Sequence, residues 1–238
     1  MSPDPSASLP IPLSSPMDPL LYYRPGTGAL SELIVLEWIG QPYRLCRVTR
    51  LQQQSPAFLA LNPHGAVPVM TFGDVPIYEN NALLAFLGDS HPDLGLCPAH
   101  ATLERALMDQ WLAYLDSGFH SAHVPIFKPA RFTAEEAVQP ELVDFAKGNV
   151  AKQLEFLNRH LEGKSFLLGD SKTVLDAYMV AMTRWGRNWF DYAQEYPELH
   201  RYLVALDEDP GVAMAKAIEK EEDPDAMGHC TAHVPFED

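Results

Sequence analysis

A chain of 238 residues, 47% of them hydrophobic, is long enough to bury one or two cores of ordinary domain size, and two compact units are expected. Its formal net charge of -15 disfavours nucleic acid and anionic membrane as partners, because both call for Lys/Arg-rich faces. The three cysteines, Cys46, Cys97 and Cys230, stand far apart without a CxxC pair, which argues against a disulfide framework and a dithiol redox centre. No run approaches the roughly 18 apolar residues of a membrane helix, so a soluble, cytoplasmic protein is expected.

Residues 1–17 are rich in Pro and Ser, carry one charge at Asp4, and lack the basic and apolar regions of a secretion signal; they read as a disordered leader. Leu20 to Tyr23 is a β-prone run stopped by Arg24-Pro25-Gly26. Leu30, Leu33, Ile34, Glu37 and Trp38 then recur at helical spacing up to Gly40. Tyr43 to Thr49 reads as a second strand. Ser55-Pro56 supplies an N-cap and first position for a short helix to Leu61, and Asn62-Pro63-His64-Gly65 is a turn. Val67 to Phe72, the Gly73-Asp74 turn and Pro76 to Tyr78 form a hairpin, followed by a helix from about Asn80 to Leu87.

After Pro98 the β signals largely stop. Leu103, Leu107, Trp111, Tyr114 and Leu115 mark one amphipathic helix, and Leu142, Phe145, Val150, Leu154, Leu157 and Leu161 another. Thr173-x-x-Asp176 opens a third as a capping box, and Pro197 to Leu206 and Val212 to Ile218 supply two more. From Glu221 the chain is polar and reads as a loose acidic tail. The expected fold is α+β, a βαβαββα domain over 18–96 followed by an all-helical domain over 97–220, with the tail over 221–238.

Four segments carry a family resemblance: YYRPGTGALSELIVLEWIG from Tyr22, NPHGAVPV from Asn62, YENNALLAFL from Tyr78 and FLLGDSKTVLDAY from Phe166. Together with the element order they resemble the cytosolic glutathione transferases, the bacterial beta class in particular, over about Leu20 to Ile218. The resemblance implies a thioredoxin-like glutathione-binding domain, an all-helical second domain, a homodimer, and glutathione as co-substrate. It also implies a cis Val67-Pro68 bond, with the Val67 N–H and C=O turned outward to pair with the peptide backbone of glutathione. Glu79 and Asn80 stand where the family holds the γ-glutamyl end, the carboxylate reaching for its amino group and Asn80, with the helix start behind it, for its carboxylate.

The beta-class cysteine is absent, because its position is Gly28. In the delta class the residue directly after Pro-Gly is a serine that stabilises the thiolate, and that register assigns the role to Thr27 or leaves Thr27 as a cap of the following helix. Tyr22 and Tyr23 end the first strand, where tyrosine-type classes keep their donor, and strand alternation lets only one face the cleft. WLAYLDSGFHSAHVPIF resembles the beta-class segment carrying an active-site histidine, which assigns His120 to the sulfur or the electrophile. His120 and His123 lack a third ligand and His229, Cys230 and His233 a fourth, so no metal is expected.

The expected function is transfer of the glutathione thiolate to small hydrophobic electrophiles, a detoxification chemistry. Thr27, His120, Tyr22 and Tyr23 are the candidate catalytic residues, and Val67, Pro68, Glu79 and Asn80 hold glutathione. Two other readings stay open: a non-catalytic glutathione-binding or scaffold protein, and a glutathione-dependent reductase or peroxidase, which the missing cysteine counts against.

Overall fold

The computed structural model describes residues 18–220 and 227–237. The first half runs β1 (Leu20–Tyr23), α1 (Leu30–Ile39), β2 (Tyr43–Arg47), α2 (Pro56–Leu61), β3 (Val69–Phe72), β4 (Val75–Tyr78) and α3 (Asn80–Asp89), the βαβαββα order expected. The local reasons are visible. Gly40, at φ 71°, ends α1 by turning its N–H back to Leu36. Ser55 caps α2, its side chain accepting from the Phe58 amide.

Strand order in the sheet is β4-β3-β1-β2-β5. The parallel β1–β2 pair follows from the α1 crossover and the antiparallel β3–β4 pair from its tight turn. Leu21 and Tyr23 point into the main core with α1 and α3, while Leu20 and Tyr22 point to the opposite face, under Phe58 of α2.

The second half is helical: α4 (Leu103–Tyr114), α5 (Ser121–Phe127), α6 (Gln139–His160), α7 (Val174–Thr183), α8 (Tyr192–Glu195), α9 (Pro197–Asp207) and α10 (Pro210–Lys220). A π-helical stretch, Leu115–His120, joins α4 to α5. Helix α7 is buried along its whole length. Its capping box forms as expected: Asp176 accepts from the Thr173 amide at 2.7 Å, the Leu167 amide at 2.9 Å and the Tyr202 hydroxyl at 2.6 Å. Helix α1 packs on both α7 and α10, so it belongs to both domains' cores.

The expectation of a loose tail is corrected where the tail is described. Cys230–His233 forms β5, parallel to β2, and covers the edge that β2 would otherwise leave open. Glu37 fixes its start, accepting from the Tyr43 hydroxyl at 2.6 Å and the His229 amide at 3.0 Å. Phe236 then packs edge-on to Tyr22, with ring centroids 6.3 Å apart. The expected leader, 1–17, and the tail residues 221–226 lie outside the described residues.

Candidate functional site

The site is built where the start of α1 meets the start of α3. Gly26 takes φ 80° in the turn after β1, a value that favours glycine, and α1 begins four residues later. Among the described residues the amides of Thr27, Gly28 and Ala29 have no acceptor, as expected of a helix start without a side-chain cap. Asn80, the first residue of α3, reaches across. Its Nδ2 donates to Ser31 Oγ at 3.1 Å and faces the Gly28 carbonyl at 3.4 Å. The N-termini of α1 and α3 are therefore joined by the Asn80 side chain.

Glycine at position 28 leaves room for this contact, which a side chain there would displace. A Cβ added there would stand 2.9 Å from Asn80 Nδ2 and 3.2 Å from the Met182 methyl, so the Asn80 carboxamide occupies the space that a side chain at 28 would need. This inward turn also differs from the expected role of the Asn80 side chain. Its Nδ2 is directed at α1, and among the described residues the backbone amides of Asn80 and Asn81 have no acceptor.

Glu79 precedes α3 with φ 77°, a left-handed value that is uncommon for a residue with a side chain and costs about 1–3 kcal/mol. Its carboxylate is exposed. The Val67-Pro68 bond is cis, as the resemblance implied. The β3–β4 register pairs Val69 with Tyr78, which brings Pro68 and Glu79, the residues next outward, beside one another. Among the described residues neither the amide nor the carbonyl of Val67 has a hydrogen-bond partner.

The hydroxyl candidates are placed differently from one another. Thr27 Oγ1 donates to the Arg24 carbonyl at 2.6 Å, so its single proton must be redirected before it can reach a sulfur. Tyr22 packs against Phe58 and Phe236 on the α2 face, and burial raises its pKa. Tyr23 lies in the main core with 1% of its surface exposed. The structure thus joins Asn80, which follows Glu79, to Gly28, which follows Thr27, and leaves both tyrosines in packing positions.

On the helical side His120 sits at the end of the π-helical stretch. Its Nδ1 is 3.4 Å from Asp116 Oδ1, which also accepts from the Tyr178 hydroxyl at 3.3 Å. Hydrogen bonding from His120 holds the Asp116 carboxyl below the usual range. The His120 ring lies 5.4 Å from that of Trp185. His123 is fully buried between Phe119, Phe127, Trp185 and Trp189. Burial pulls its pKa down to about 4, and its Nε2 has no partner among the described residues.

The comparisons with known proteins fall on the same regions. Residues 33–95 match the model of the glutathione S-transferase N-terminal domain, and residues 115–210 that of the C-terminal domain. The chain is 31% identical over 165 residues to glutathione S-transferase GST-4.5 of Xanthomonas campestris pv. campestris, covering 69% of this chain and 81% of that one. The chain belongs to the glutathione S-transferase family. It is also similar to glutathione S-transferase GstA of Escherichia coli O157:H7, at 27% identity over 69% of this chain and 81% of the other. A sphingomonad glutathione S-transferase solved in complex with glutathione superposes with a TM-score of 0.75 at 30% identity, covering 84% of this chain and 98% of that one.

As a glutathione S-transferase the chain has a set of bonds across its site that the sequence does not announce. Three side chains of the helical domain grip the turn that carries Thr27. Trp185 Nε1 donates to the Gly26 carbonyl at 3.0 Å, Arg184 Nη2 to the Thr27 carbonyl at 2.6 Å, and the Gly26 amide donates to Glu219 Oε1 at 3.1 Å. Arg184 and Glu219 are themselves paired at 2.6 and 3.0 Å, with only 5% of the Glu219 side chain exposed. These residues lie more than 150 positions from the turn, and no local pattern announces them. The transferase also holds Glu32 within α1, fully buried. Its Oε2 accepts from Ser31 at 3.1 Å, and burial raises its pKa to about 8.

Proposed function

We propose that this transferase conjugates the thiolate of glutathione to small hydrophobic electrophiles, acting as a cytoplasmic homodimer. The observation that carries the reading is the contact of the α1 and α3 N-termini through Asn80, with the amides of Thr27, Gly28, Ala29, Asn80 and Asn81 lacking acceptors among the described residues. The free Val67 amide and carbonyl pair with the tripeptide backbone, and Pro68 borders the sulfur. Glu79 takes the γ-glutamyl amino group, and the Asn80 and Asn81 amides take its carboxylate.

Glutathione supplies the nucleophilic sulfur, and the protein must make it a thiolate. Lowering a thiol pKa from about 8.5 to 6.5 requires roughly 2.7 kcal/mol of thiolate stabilisation. A hydrogen bond from Thr27 to the charged sulfur contributes about 1.5–3 kcal/mol, less roughly 1 kcal/mol for releasing Arg24. Thr27 alone therefore falls short, and the α1 amides beside it supply the remainder. His120, aligned by Asp116, stands on the electrophile side with Trp185 and donates to charge developing on the leaving group.

Chemistry by a protein thiol is disfavoured by the same physics. Burial pushes Cys46 up to about 11 and Cys97 up to about 12, and it also raises Cys230, so none of the three is a thiolate at neutral pH. Exposed Leu103 and Leu107 on α4 and Phe145 on α6 give the dimer an apolar surface to bury. Sedimentation at twice the 26.5 kDa chain mass is the expected result.

Steady-state conjugation of 1-chloro-2,4-dinitrobenzene tests the transfer reading. Thr27→Ser should keep most of the rate, and Thr27→Val should lose about tenfold at pH 6.5. Glutathione binding with no turnover in the unaltered chain would turn the reading to a non-catalytic binding protein.

A further inference from the structure

The chain carries 17 Lys and Arg against 32 Asp and Glu, so a cation without a carboxylate is unexpected in it. Arg105, Lys172, Arg184 and Lys216 all hold acidic partners. Arg24, Arg50, Lys128 and Arg131 do not: among the described residues none of the four is ion-paired. They are nevertheless neighbours. Burial and the charge of Arg50 disfavour a proton on Arg24, and burial together with the charges of Arg131, Arg50 and Arg24 does the same to Lys128.

Contacts of their backbones and chain neighbours tie Arg24 and Lys128 to the sulfur turn. Arg24 is the residue whose carbonyl receives the Thr27 hydroxyl. Lys128 follows Phe127, whose ring lies 5.5 Å from that of Trp185, and Trp185 is bonded to Gly26 in the sulfur turn. Arg131 stands one tight turn beyond, its amide donating to the Lys128 carbonyl at 3.0 Å. Phe127 is 48% exposed and, with Trp185 and Trp189, forms an aromatic shelf beside the cations.

We propose that the electrophile this transferase accepts is an aromatic or flat apolar molecule bearing an anionic group, held by Lys128 and Arg131 with Arg24 and Arg50 behind them. The inference rests on reading this cleft as the electrophile site. A carboxylate, sulfonate or phosphate placed there meets four like charges that hold no acidic partner among the described residues, in a chain of net charge -15. Glutathione brings a glycyl carboxylate of its own, but one carboxylate does not require four cations.

The test uses the full chain saturated with glutathione and two unreactive probes, 3,5-dinitrobenzoate and 1,3-dinitrobenzene, followed by quenching of tryptophan fluorescence. The expected result is at least tenfold tighter binding of the benzoate, a preference that shrinks with added salt. In Lys128→Ser/Arg131→Ser the preference should vanish, with dinitrobenzene and glutathione affinities unchanged. Equal affinity for the two probes in the unaltered chain overturns the proposal. So does a double variant that loses glutathione affinity instead, which would assign the cations to the glycyl carboxylate. Anion preference without conjugation of any chloronitrobenzene would sustain this inference while removing the transfer reading.

Discussion

Glu219→Gln isolates the grip of the helical domain on the sulfur turn. The carboxylate accepts three hydrogen bonds, two from Arg184 and one from the Gly26 amide, with 5% of its side chain exposed and 21% of the Arg184 side chain. Removing one partner of a buried ion pair costs about 3–5 kcal/mol, and the partial exposure of Arg184 reduces this to roughly 2–4 kcal/mol. For a chain of this size each kcal/mol moves the midpoint by about 2–4 °C, so Tm should fall by about 4–16 °C. Circular dichroism on Glu219→Gln, Arg184→Met and Glu219→Leu/Arg184→Met gives the cycle, and the double variant should recover part of the loss because no charge is left stranded. The pKa of bound glutathione should also rise in each single variant, as the turn that presents the Thr27, Gly28 and Ala29 amides loosens. A Tm change under about 2 °C for Glu219→Gln, with additive singles, would refute the reasoning.

Glu79→Gln removes a charged partner of the γ-glutamyl amino group, and calorimetry should show glutathione affinity falling by about 10- to 100-fold at unchanged Tm, from the roughly 1.5–3 kcal/mol of such a bond. Glu32 and His123 give the pH dependence of stability. Glu32, raised to about 8 from an unfolded value near 4.3, contributes fully below 4.3 and loses that contribution as pH rises through 8. His123, lowered to about 4 from near 6.5, contributes fully above 6.5 and loses it as pH falls toward 4. The two offset each other between about pH 4.5 and 6.5, and stability should then decline by about 1.4 kcal/mol per unit from pH 6.5 to 8. In Glu32→Gln, urea midpoints should instead rise from pH 4.5 to 6.5 and then level. Phe236→Ala should lower stability by about 1–3 kcal/mol, because its ring packs on Tyr22 and Phe58 under β5; an unchanged urea midpoint would show that the strand docks without it.

Much of the fold was legible in the sequence because its signals are local. Gly40 ends α1, Ser55-Pro56 opens α2, Gly73 turns the hairpin, and Thr173 and Asp176 cap α7. Each position states its own conformation within four residues. The strand β5 was not legible, because a short polar run in an acidic tail becomes a strand only when Glu37 and the open edge of β2 receive it. The short helix after the π-helical stretch was hidden for a related reason: Pro125 interrupts the helical pattern that Ser121–Phe127 nevertheless completes.

The candidate site was legible by position but not by contact. Thr27, Glu79, Asn80 and His120 were all singled out, yet only the structure shows that the Thr27 proton goes to Arg24 and that Asn80 turns inward onto Gly28. Strand alternation allowed only one of Tyr22 and Tyr23 to face the cleft, and the structure packs Tyr22 on Phe58 and Phe236 and Tyr23 in the main core. Arg184, Trp185 and Glu219 act through backbone groups of a distant turn, and backbone groups leave no mark in the residue sequence.

The pH titration of glutathione bound to the unaltered chain, read by thiolate absorption near 240 nm, tests the central claim most directly. If the α1 amides and Thr27 stabilise the sulfur as argued, the signal should titrate about two units below the free thiol value of roughly 8.5 and shift upward in Thr27→Val. A bound thiol that titrates at its free value would contradict the account.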